Sequence, residues 1–532
     1  MAKVKLEQWG TRLGIILAVS GSAVGLGNFL RFPGQAAQYG GGAFMIPYFC
    51  ALIFLGIPIG WAEWSMARYG GRKGFHSGPA ILGVVGRGKV ARYLGVLSIL
   101  IPLAVSFYYT FVEAWCLGYT WHFLVNGGVG VDPSTPLATQ NAKSAEFFVN
   151  YTGDAANGAI FKSSIETLVF WGIVFAINIW LIYRGISGGI EKFCSYAMPL
   201  MAVCAVVVLI RVLTLEPNPA NPEQNVLNGL GSMWNPDWSA LANPAAWLAA
   251  AGQIFFSLSV GFGVILNYAS YLRKKDDIAL SGLTASATNE VFEVGFGGLI
   301  TLPAAFVFLG AVGTMEAAKT GTFGLGFKTL PVVFAQMGPL GQYVGAIFFF
   351  MLFLAAITSS ISMYQPTLAF LQESLGVSRI RATALMVSVC FIGSACVMYF
   401  SKGGEFFGTI DDWVGTFFIF ILAAVQIICF SWIFGIERGW RELHAGAKIK
   451  VPSIFKFVML FVAPVYLLVV FVAFCYNNLP VWIGHVAESP MRQGALVLVA
   501  GVTLFLVLCI AIGEKRWRDE GLDVDDSQPL ND

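Results

Sequence analysis

The stretch at residues 21–44, GSAVGLGNFLRFPGQAAQYGGGAF, decides how the rest of the chain is interpreted. It begins inside an apolar segment long enough to cross a bilayer, yet it is crowded with glycine and contains Asn28 and Arg31. A glycine in a helix interior costs about 1 kcal/mol relative to alanine. A charged side chain within a bilayer is more expensive still. The stretch is therefore predicted to interrupt a membrane helix.

The composition places the whole chain in a membrane. Of the 532 residues, 57% are hydrophobic and 12% are charged, and the mean hydropathy is +0.72. Soluble domains carry roughly 25% charged residues, so lipid must be the main solvent of this chain. The net charge of +2 and the lack of a basic block argue against a nucleic-acid partner. The nine cysteines and four histidines show no metal-ligand spacing.

Apolar runs predict an all-α integral membrane protein, because each run reaches the roughly 20 residues that a spanning helix needs. About twelve runs lie near residues 12–38, 42–68, 92–125, 166–184, 191–214, 243–270, 278–312, 338–371, 381–400, 407–436, 453–476 and 491–513. Lys and Arg collect in alternate loops, which predicts a multi-pass protein of the cell membrane (plasma or inner) with both termini cytoplasmic. The polar segment 126–165 is predicted to be an exposed loop. The acidic tail after Arg518 is predicted to be disordered.

Spans one and six share a short internal likeness, SAVGLG at residues 22–27 and LSVGFG at residues 258–263. Because the two spans are five apart, the chain is predicted to contain two inverted five-helix repeats, at 12–214 and 243–436. Helices 11 and 12 are predicted at 453–513, and segments 1–11 and 514–532 are predicted to be cytoplasmic. Helix-packing glycines of the GxxxG kind are the alternative explanation. Unwound helices expose carbonyls to a cation and amides to an anion, so the two breaks predict a binding site.

Polar side chains in other spans support a site at mid-membrane. Intramembrane ionisable groups are functional candidates by default because burying a charge there is costly. Hydroxyl groups are weaker evidence, since Ser and Thr often bond to their own helix. The residues concerned are Glu63, Tyr108, Tyr109, Glu113, Asn289, Glu290, Glu293, Thr358, Ser359 and Ser360.

At these residues the chain resembles the neurotransmitter:sodium symporter family, and most of all its bacterial leucine-transporter branch. The motifs that carry the resemblance are WGTRLGIILAVSGSAVGLGNFLRFP, GGGAFMIPY, GQIFFSLSVGFG, SGLTASATNE and ITSSISMYQP, and similarity extends over essentially the whole chain. The resemblance implies twelve helices with helices 1 and 6 unwound. It also implies sodium-coupled import of an amino acid by alternating access, with no enzymatic chemistry. A homodimer is left open.

The resemblance also implies two sodium sites made of oxygen atoms, which suit a hard cation. The first would use the Ala23 and Ser257 carbonyls, the Ser257 hydroxyl, the Asn28 and Asn289 side chains, and the substrate carboxylate. Sharing that carboxylate would couple ion and amino acid directly. The second site would be formed by Gly21, Val24, Ala355, Thr358 and Ser359.

The substrate site implied by the resemblance lies between the two breaks. Its carboxylate would meet the amides of Leu26 and Gly27 and the hydroxyl of Tyr109. Its ammonium would face the carbonyls of Ala23 and Phe256 and the side chain of Ser259. The pocket for its side chain would comprise Val105, Tyr109, Phe256, Phe262, Ser359 and Met363, all uncharged, which favours a hydrophobic amino acid. Met363 and Ser22 depart from the Ile and Asn of the bacterial pattern, which leaves the preferred side chain open.

The resemblance also implies residues that form an outer and an inner gate, and a role for the acid Glu293. Arg31 and Asp411 resemble an outer gate pair, and Trp9, Tyr271 and Glu373 resemble parts of an inner gate. Position 6 is Leu where the pattern has a basic residue, so Lys5 is a candidate substitute. Glu293 matches the acid of chloride-independent members. A fixed carboxylate can supply the charge that a halide otherwise gives, so chloride independence is expected, and proton counter-movement is left open.

Three functions of other classes compete with transport. A channel needs a continuous polar stripe or a filter ring, whereas the polar groups here gather at one depth. A membrane enzyme needs a nucleophile with a paired base or a metal cluster, and the spans offer no such constellation. A receptor that binds like a transporter is not separated from a transporter by sequence.

Overall fold

The computed structural model describes residues 7–530, apart from the side chain of Ser163. Within this part of the chain the structure is almost entirely helical, and no β-strand is present. Within the described residues, ten helical runs are long and apolar enough to cross a membrane. Together with one bent pair (Arg12–Ala23 and Gly27–Gln38) and one interrupted pair (Pro244–Leu258 and Val264–Tyr268), we label them α1 to α12. Their bounds are α1 Arg12–Ala23 with Gly27–Gln38, α2 Gly42–Arg72, α3 Lys89–Asn126, α4 Ile165–Tyr183, α5 Ile186–Leu213, α6 Pro244–Leu258 with Val264–Tyr268, α7 Ile278–Lys319, α8 Gly338–Leu375, α9 Arg379–Tyr399, α10 Lys402–His444, α11 Ile454–Asn477 and α12 Pro490–Asp519. The prediction of an all-α membrane protein with about twelve spans is confirmed; its division into two repeats stays a prediction.

Helix α1 is broken after Ala23, as predicted from its glycines. Its two halves meet at an angle of 48°. The break is short because Val24, with ψ of 102°, still donates to Ser20 O at 2.7 Å. Asn28 then accepts the N–H of Gly25 on its side-chain oxygen at 2.9 Å, which satisfies a donor that the helix has released.

Helix α6 is broken more widely, between Leu258 and Val264. Ser259, Gly261 and Gly263 all have positive φ, of 54°, 71° and 84°. Glycine tolerates this conformation, but a serine there is strained by about 1–2 kcal/mol. Gly263 also allows close packing, because a Cβ at this position would lie 2.1 Å from Ser98 O. The predicted interruption of helix 6 is therefore present and built from the residues that the sequence singles out.

Helices α3 and α8 form the interior of the bundle and pack on each other more extensively than any other pair. Most of each helix is buried, whereas α4, α5, α11 and α12 expose apolar side chains such as Val203 and Leu504 to their surroundings. An apolar exterior is expected of helices that face lipid. The two broken helices lie against this interior pair, with α1 packed on α8.

Two expectations about segments outside the spans are wrong. Segment 126–165 contains a helix, Leu137–Thr152, that buries Phe148 and Tyr151 and binds the carbonyl of Lys328 through Ser144. The acidic tail is ordered through Leu530 because basic side chains of the bundle bind it. Asp525 lies 2.5 Å from Arg92, and Asp526 lies 2.6 Å from Arg438.

Candidate functional site

The two helix breaks face each other at the centre of the bundle. The hydroxyl of Ser259 on α6 donates to the carbonyl of Ser22 on α1 at 3.0 Å. Between the breaks lies a small cavity of about 20 Å³. Its lining comprises Ser22, Ala23, Gly25, Gly27, Asn28, Tyr109, Phe256, Ser259, Phe262, Ser359 and Met363. The structure thus brings helices α1, α3, α6 and α8 to one point.

The residues expected at the second sodium site come together on one side of this cavity. The hydroxyl of Ser359 lies 3.4 Å from Gly21 O, 3.5 Å from Val24 O and 3.0 Å from Ala355 O. Thr358 is adjacent, and a Cβ at Gly21 would lie 3.2 Å from its Cβ. Three carbonyls and two hydroxyls are therefore available around one point, which is a neutral all-oxygen donor set.

The residues expected at the first sodium site form a second cluster. Asn28 donates its amide to Asn289 Oδ1 at 2.8 Å, and Asn289 donates to Ser257 Oγ at 2.7 Å. Ala23 lines the small cavity together with Asn28. The side-chain oxygens of both asparagines accept hydrogen bonds within the protein. A cation bound here would therefore replace the N–H groups that these oxygens now bind.

Glu293 lies at the bottom of this second cluster and is fully buried. Its carboxylate accepts from Gln253 at 2.5 Å, from Asn289 at 3.1 Å and from Asn28 at 3.3 Å, and it also contacts the hydroxyl of Ser257. No Lys or Arg side chain within residues 7–530 pairs with it. A buried carboxylate without a countercharge is costly. The cluster therefore has the electrostatic character of a cation site.

Sequence reasoning missed two residues of this cluster, Gln253 and Tyr48. Gln253 binds Glu293, and the Tyr48 hydroxyl donates to Glu290 at 2.8 Å. Both residues occur in motifs that carry the family resemblance, GQIFFSLSVGFG and GGGAFMIPY. Each is a polar side chain inside an apolar run, and this feature of the sequence could have identified both residues. Glu63, one of the intramembrane acids singled out in the sequence, accepts the N–H of Gly261 in the α6 break at 3.2 Å.

The residues expected to bind substrate do not all line the small cavity. Eight of the eleven do so: Ala23, Gly27, Tyr109, Phe256, Ser259, Phe262, Ser359 and Met363. A Cβ at Gly25 would lie only 3.0 Å from the Tyr109 hydroxyl. The remaining expected residues Leu26, Val105 and Ser257 are buried nearby but are not among its lining residues. A cavity of 20 Å³ has no room for an amino acid, so the site is contracted in this conformation.

The outer gate pair is separated. A cavity of about 340 Å³ opens above the small one, and Arg31 and Asp411 both line it. Within the described chain these two residues form no ion pair: Arg31 lies over the ring of Phe256 at 4.9 Å, and Asp411 accepts from Tyr108 at 2.5 Å. Phe256 and Tyr109 line both cavities and form the partition between them. Tyr109 and Phe256, rather than an Arg31–Asp411 ion pair, therefore separate the small cavity from the outer one.

The expected inner gate residues lie on the opposite side, where the structure is closed. Trp9 is buried and donates to Tyr268 O at 2.9 Å. Tyr271 stacks on His76 with centroids 4.4 Å apart, and Glu373 accepts the N–H of His76 at 2.8 Å. Burial lowers the pKa of His76, in the loop after α2, to about 4, so this ring is neutral at pH 7. Positions 5 and 6 lie outside the described residues.

Comparison with known proteins agrees with this architecture. The sequence profile of the Sodium:neurotransmitter symporter family matches residues 6–127 and 131–517 of the chain. The crystal structure of MhsT in complex with L-phenylalanine is similar with a TM-score of 0.73 and 26% sequence identity, covering 88% of this chain and 99% of that one.

Two relatives with similar sequences are named as sodium-dependent transporters. An uncharacterized sodium-dependent transporter of Methanocaldococcus jannaschii is 30% identical over 518 residues, covering 96% of this chain and 98% of the relative. A sodium-dependent nutrient amino acid transporter 1 of Drosophila grimshawi is 27% identical, covering 88% of this chain and 77% of the relative. The chain therefore belongs to the sodium:neurotransmitter symporter family, whose members are membrane transporters and not enzymes.

Proposed function

We propose that this protein imports a hydrophobic, neutral amino acid together with sodium ions, by alternating access and without a requirement for chloride. The small cavity between α1 and α6 would expand to hold the amino acid. One sodium ion would bind at Ala23, Asn28, Ser257 and Asn289, and a second would bind at Gly21, Val24, Ala355, Thr358 and Ser359. Both ions are cargo, since they leave the site with the amino acid.

The observation that carries this proposal is the position of Glu293. Its buried carboxylate has only neutral hydrogen-bond donors, and three of them, Asn28, Ser257 and Asn289, belong to the first expected sodium site. A cation bound at those three residues would compensate the charge of Glu293. For the same reason a halide, which would add a second negative charge there, is not needed.

The lining of the small cavity supports the substrate class. Phe256, Phe262 and Met363 provide an apolar and adaptable surface, and no charged side chain lines the cavity. Ser259 and the exposed backbone of the breaks supply polar groups for the amino and carboxylate ends. The solved relative that binds L-phenylalanine has the same fold, which supports an amino-acid substrate with a large side chain.

Orientation and location also belong to the proposal. The Lys and Arg distribution favours cytoplasmic termini in the plasma or inner membrane, which places the 340 Å³ cavity on the external side. The conformation described would then be the one that receives substrate from outside. A second copy of the chain is not required by this scheme, since each site is built from residues of one chain.

Uptake into proteoliposomes tests the proposal directly. Purified protein is reconstituted, and radiolabelled leucine, phenylalanine, glycine and glutamate are offered with an inward sodium gradient or with potassium instead. We expect sodium-driven uptake of the hydrophobic amino acids. Thr358→Ala should raise the sodium concentration for half-maximal uptake about tenfold, as expected for loss of one ligand.

A matched control separates this effect from general damage. Thr314 on α7 is also a buried threonine, with its hydroxyl on the carbonyl of Gly310 at 2.7 Å, but it lies outside the two clusters. Thr314→Ala should leave the sodium dependence unchanged. Equal uptake in sodium and potassium by the unmodified protein would refute the proposed coupling.

A further inference from the structure

The start of the lower half of α1 is held by one carboxylate from α5. Glu191 is 8% exposed and accepts the N–H of Gly10 at 2.7 Å and the N–H and hydroxyl of Thr11 at 2.9 Å each. The contact places a negative charge at the positive end of the half-helix Arg12–Ala23. Hydrogen bonds to an ionised group are roughly twice as strong as neutral ones.

The surrounding sequence is shaped to admit this carboxylate. A Cβ on Gly14 would lie 2.1 Å from Glu191 Oε1, so any larger residue would displace the acid. Gly185 adopts φ of 85° and turns the chain from α4 into α5, where Glu191 ends the first, widened turn. The approach of Glu191 thus depends on glycines in both of the segments that meet.

The other contacts that hold the half-helix are either partly exposed to solvent or formed by neutral groups. Arg12 pairs with Asp277 at 3.2 Å, but its side chain is 35% exposed, and such pairs contribute about 0–1 kcal/mol. The bond from Trp9 to the Tyr268 carbonyl is neutral. Glu373, expected to take part in an inner gate, is engaged by the backbone of His76 instead. Glu7 forms a half-buried ion pair with Arg379, but it lies five residues before the half-helix. Glu191 is the carboxylate that binds the backbone at the start of the half-helix itself.

This anchor matters because the lower half of α1 is joined to the upper half only through the unwound residues 24–26. The half-helix can move as a unit about that break, and it covers the small cavity on the side opposite the open outer cavity. We propose that Glu191 is a positioning residue that holds the half-helix closed beneath the site and releases it when the site opens inward. This inference rests on the proposed transport function.

A native cysteine reports the position of the half-helix. Cys194 lies on α5, three residues after Glu191, and is fully buried. Its sulfur would be 3.5 Å from a Cβ at Gly21, so the lower half of α1 covers it. If the half-helix moves away, Cys194 becomes open to water and to thiol reagents. Cys390, equally buried against Ser106 between α3 and α9, is remote from this movement.

The test measures alkylation of Cys194 by N-ethylmaleimide. The full chain is placed in nanodiscs in sodium-free buffer, and the rates at Cys194 and Cys390 are read by peptide mass spectrometry. Glu191→Ala should raise the Cys194 rate about tenfold, and Glu191→Gln less, because one acceptor oxygen remains. The Cys390 rate should not change. Glu437→Gln removes an exposed acid paired with Lys456 and should leave both rates unchanged.

Uptake provides a second readout that a purely structural role would not move in the same way. Depletion of the outward-facing state should weaken the apparent affinity for external amino acid in proportion to the outward-facing fraction that is lost. An unchanged Cys194 rate in folded Glu191→Ala, or an equal rise at Cys390, would overturn the inference. Should Glu191→Ala fail to fold, Glu191→Gln decides: a two- to threefold rise, about that expected when a neutral acceptor replaces a charged one, supports the anchor, and no rise refutes it. Labelling that responds in a protein without uptake would refute the transport proposal alone.

Discussion

The side-chain amide of Gln253 on α6 lies 2.5 Å from the carboxylate of Glu293 on α7. The pair joins a broken helix to the helix that supplies Asn289 to the same cluster. An amide donor aimed at a fixed negative charge is also suited to hold a free anion in its place. The Gln253–Glu293 contact therefore links the expected sodium site to whether transport requires chloride.

Replacing the acid should change the ion requirement. In Glu293→Ser the fixed charge is lost, and Gln253, Asn289 and Tyr48 would surround space for a halide. We expect sodium-driven uptake to fall about tenfold or more in gluconate, as for loss of a charge that assists cation binding, and to be restored by chloride. Uptake by Glu293→Ser that is indifferent to chloride would contradict the assignment of this residue.

The strained serine of α6 gives a prediction about stability. Ser259 combines a positive φ with a hydrogen bond from its hydroxyl to Ser22 O. Ser259→Ala loses the bond and keeps the strain, whereas Ser259→Gly loses the bond and relieves the strain. The glycine variant should therefore be more stable than the alanine variant by about 1 kcal/mol. Thermal unfolding of the two variants in the same detergent measures this difference, and equal midpoints would argue against strain at Ser259.

The predictions from sequence were most accurate where a pattern recurs in the chain. The breaks in α1 and α6 follow from glycines at corresponding positions of two apolar runs, a repetition that glycines used only for helix packing do not require. The partners of two acids of α7 could not be derived in this way, because Gln253, which binds Glu293, and Tyr48, which binds Glu290, are far from them in sequence and meet them only through packing. The tail was mispredicted because its acids suggest disorder when the basic residues that bind them, Arg92 and Arg438, are not yet placed beside them.

Close packing at the α6 break predicts a large effect of one methyl group. Gly263→Ala would force a Cβ to 2.1 Å from Ser98 O at a positive φ, whereas Gly295→Ala on α7 meets no atom within 4 Å. We expect the first variant to lose about 2–4 kcal/mol, as overpacking and backbone strain combine, and the second to lose little. Thermal unfolding or expression of monodisperse protein compares them. Similar stability of both variants would contradict the backbone geometry of the break.

The docked tail predicts sensitivity to acid. Burial alone would raise the pKa of Asp526, but hydrogen bonds from Arg438, Tyr69 and Lys73 offset it and hold the pKa below its usual value. The pKa of Asp523 is held down in the same way by Lys73 and by backbone and hydroxyl donors of residues 527–528. An acid whose pKa is lower in the docked tail than in the free tail stabilises docking. This stabilisation is fully present above the pKa of the free acid, about 3.9, and is lost as the pH falls through the lower pKa of the docked acid.

Carboxypeptidase digestion of the tail measures this dependence. The tail should resist digestion at neutral pH and become progressively accessible as the pH falls below the unfolded pKa of about 3.9, because the docked acids, with their lowered pKa values, take up protons only at still lower pH. Asp526→Asn should expose the tail at neutral pH, because it removes the charge that Lys73 and Arg438 share. Asp132→Asn, which alters an exposed acid in a distant loop, serves as the control. A tail that is equally digestible at every pH would contradict its docking.

The central claim is that one site binds sodium and an amino acid together, and equilibrium binding to the purified protein tests it most directly. Binding of radiolabelled phenylalanine is titrated at several sodium concentrations, with potassium keeping the ionic strength constant. The account predicts that amino-acid affinity rises with sodium and that sodium affinity rises by the same factor with amino acid, since the coupling is reciprocal. Saturable binding with the same affinity in potassium as in sodium would contradict it.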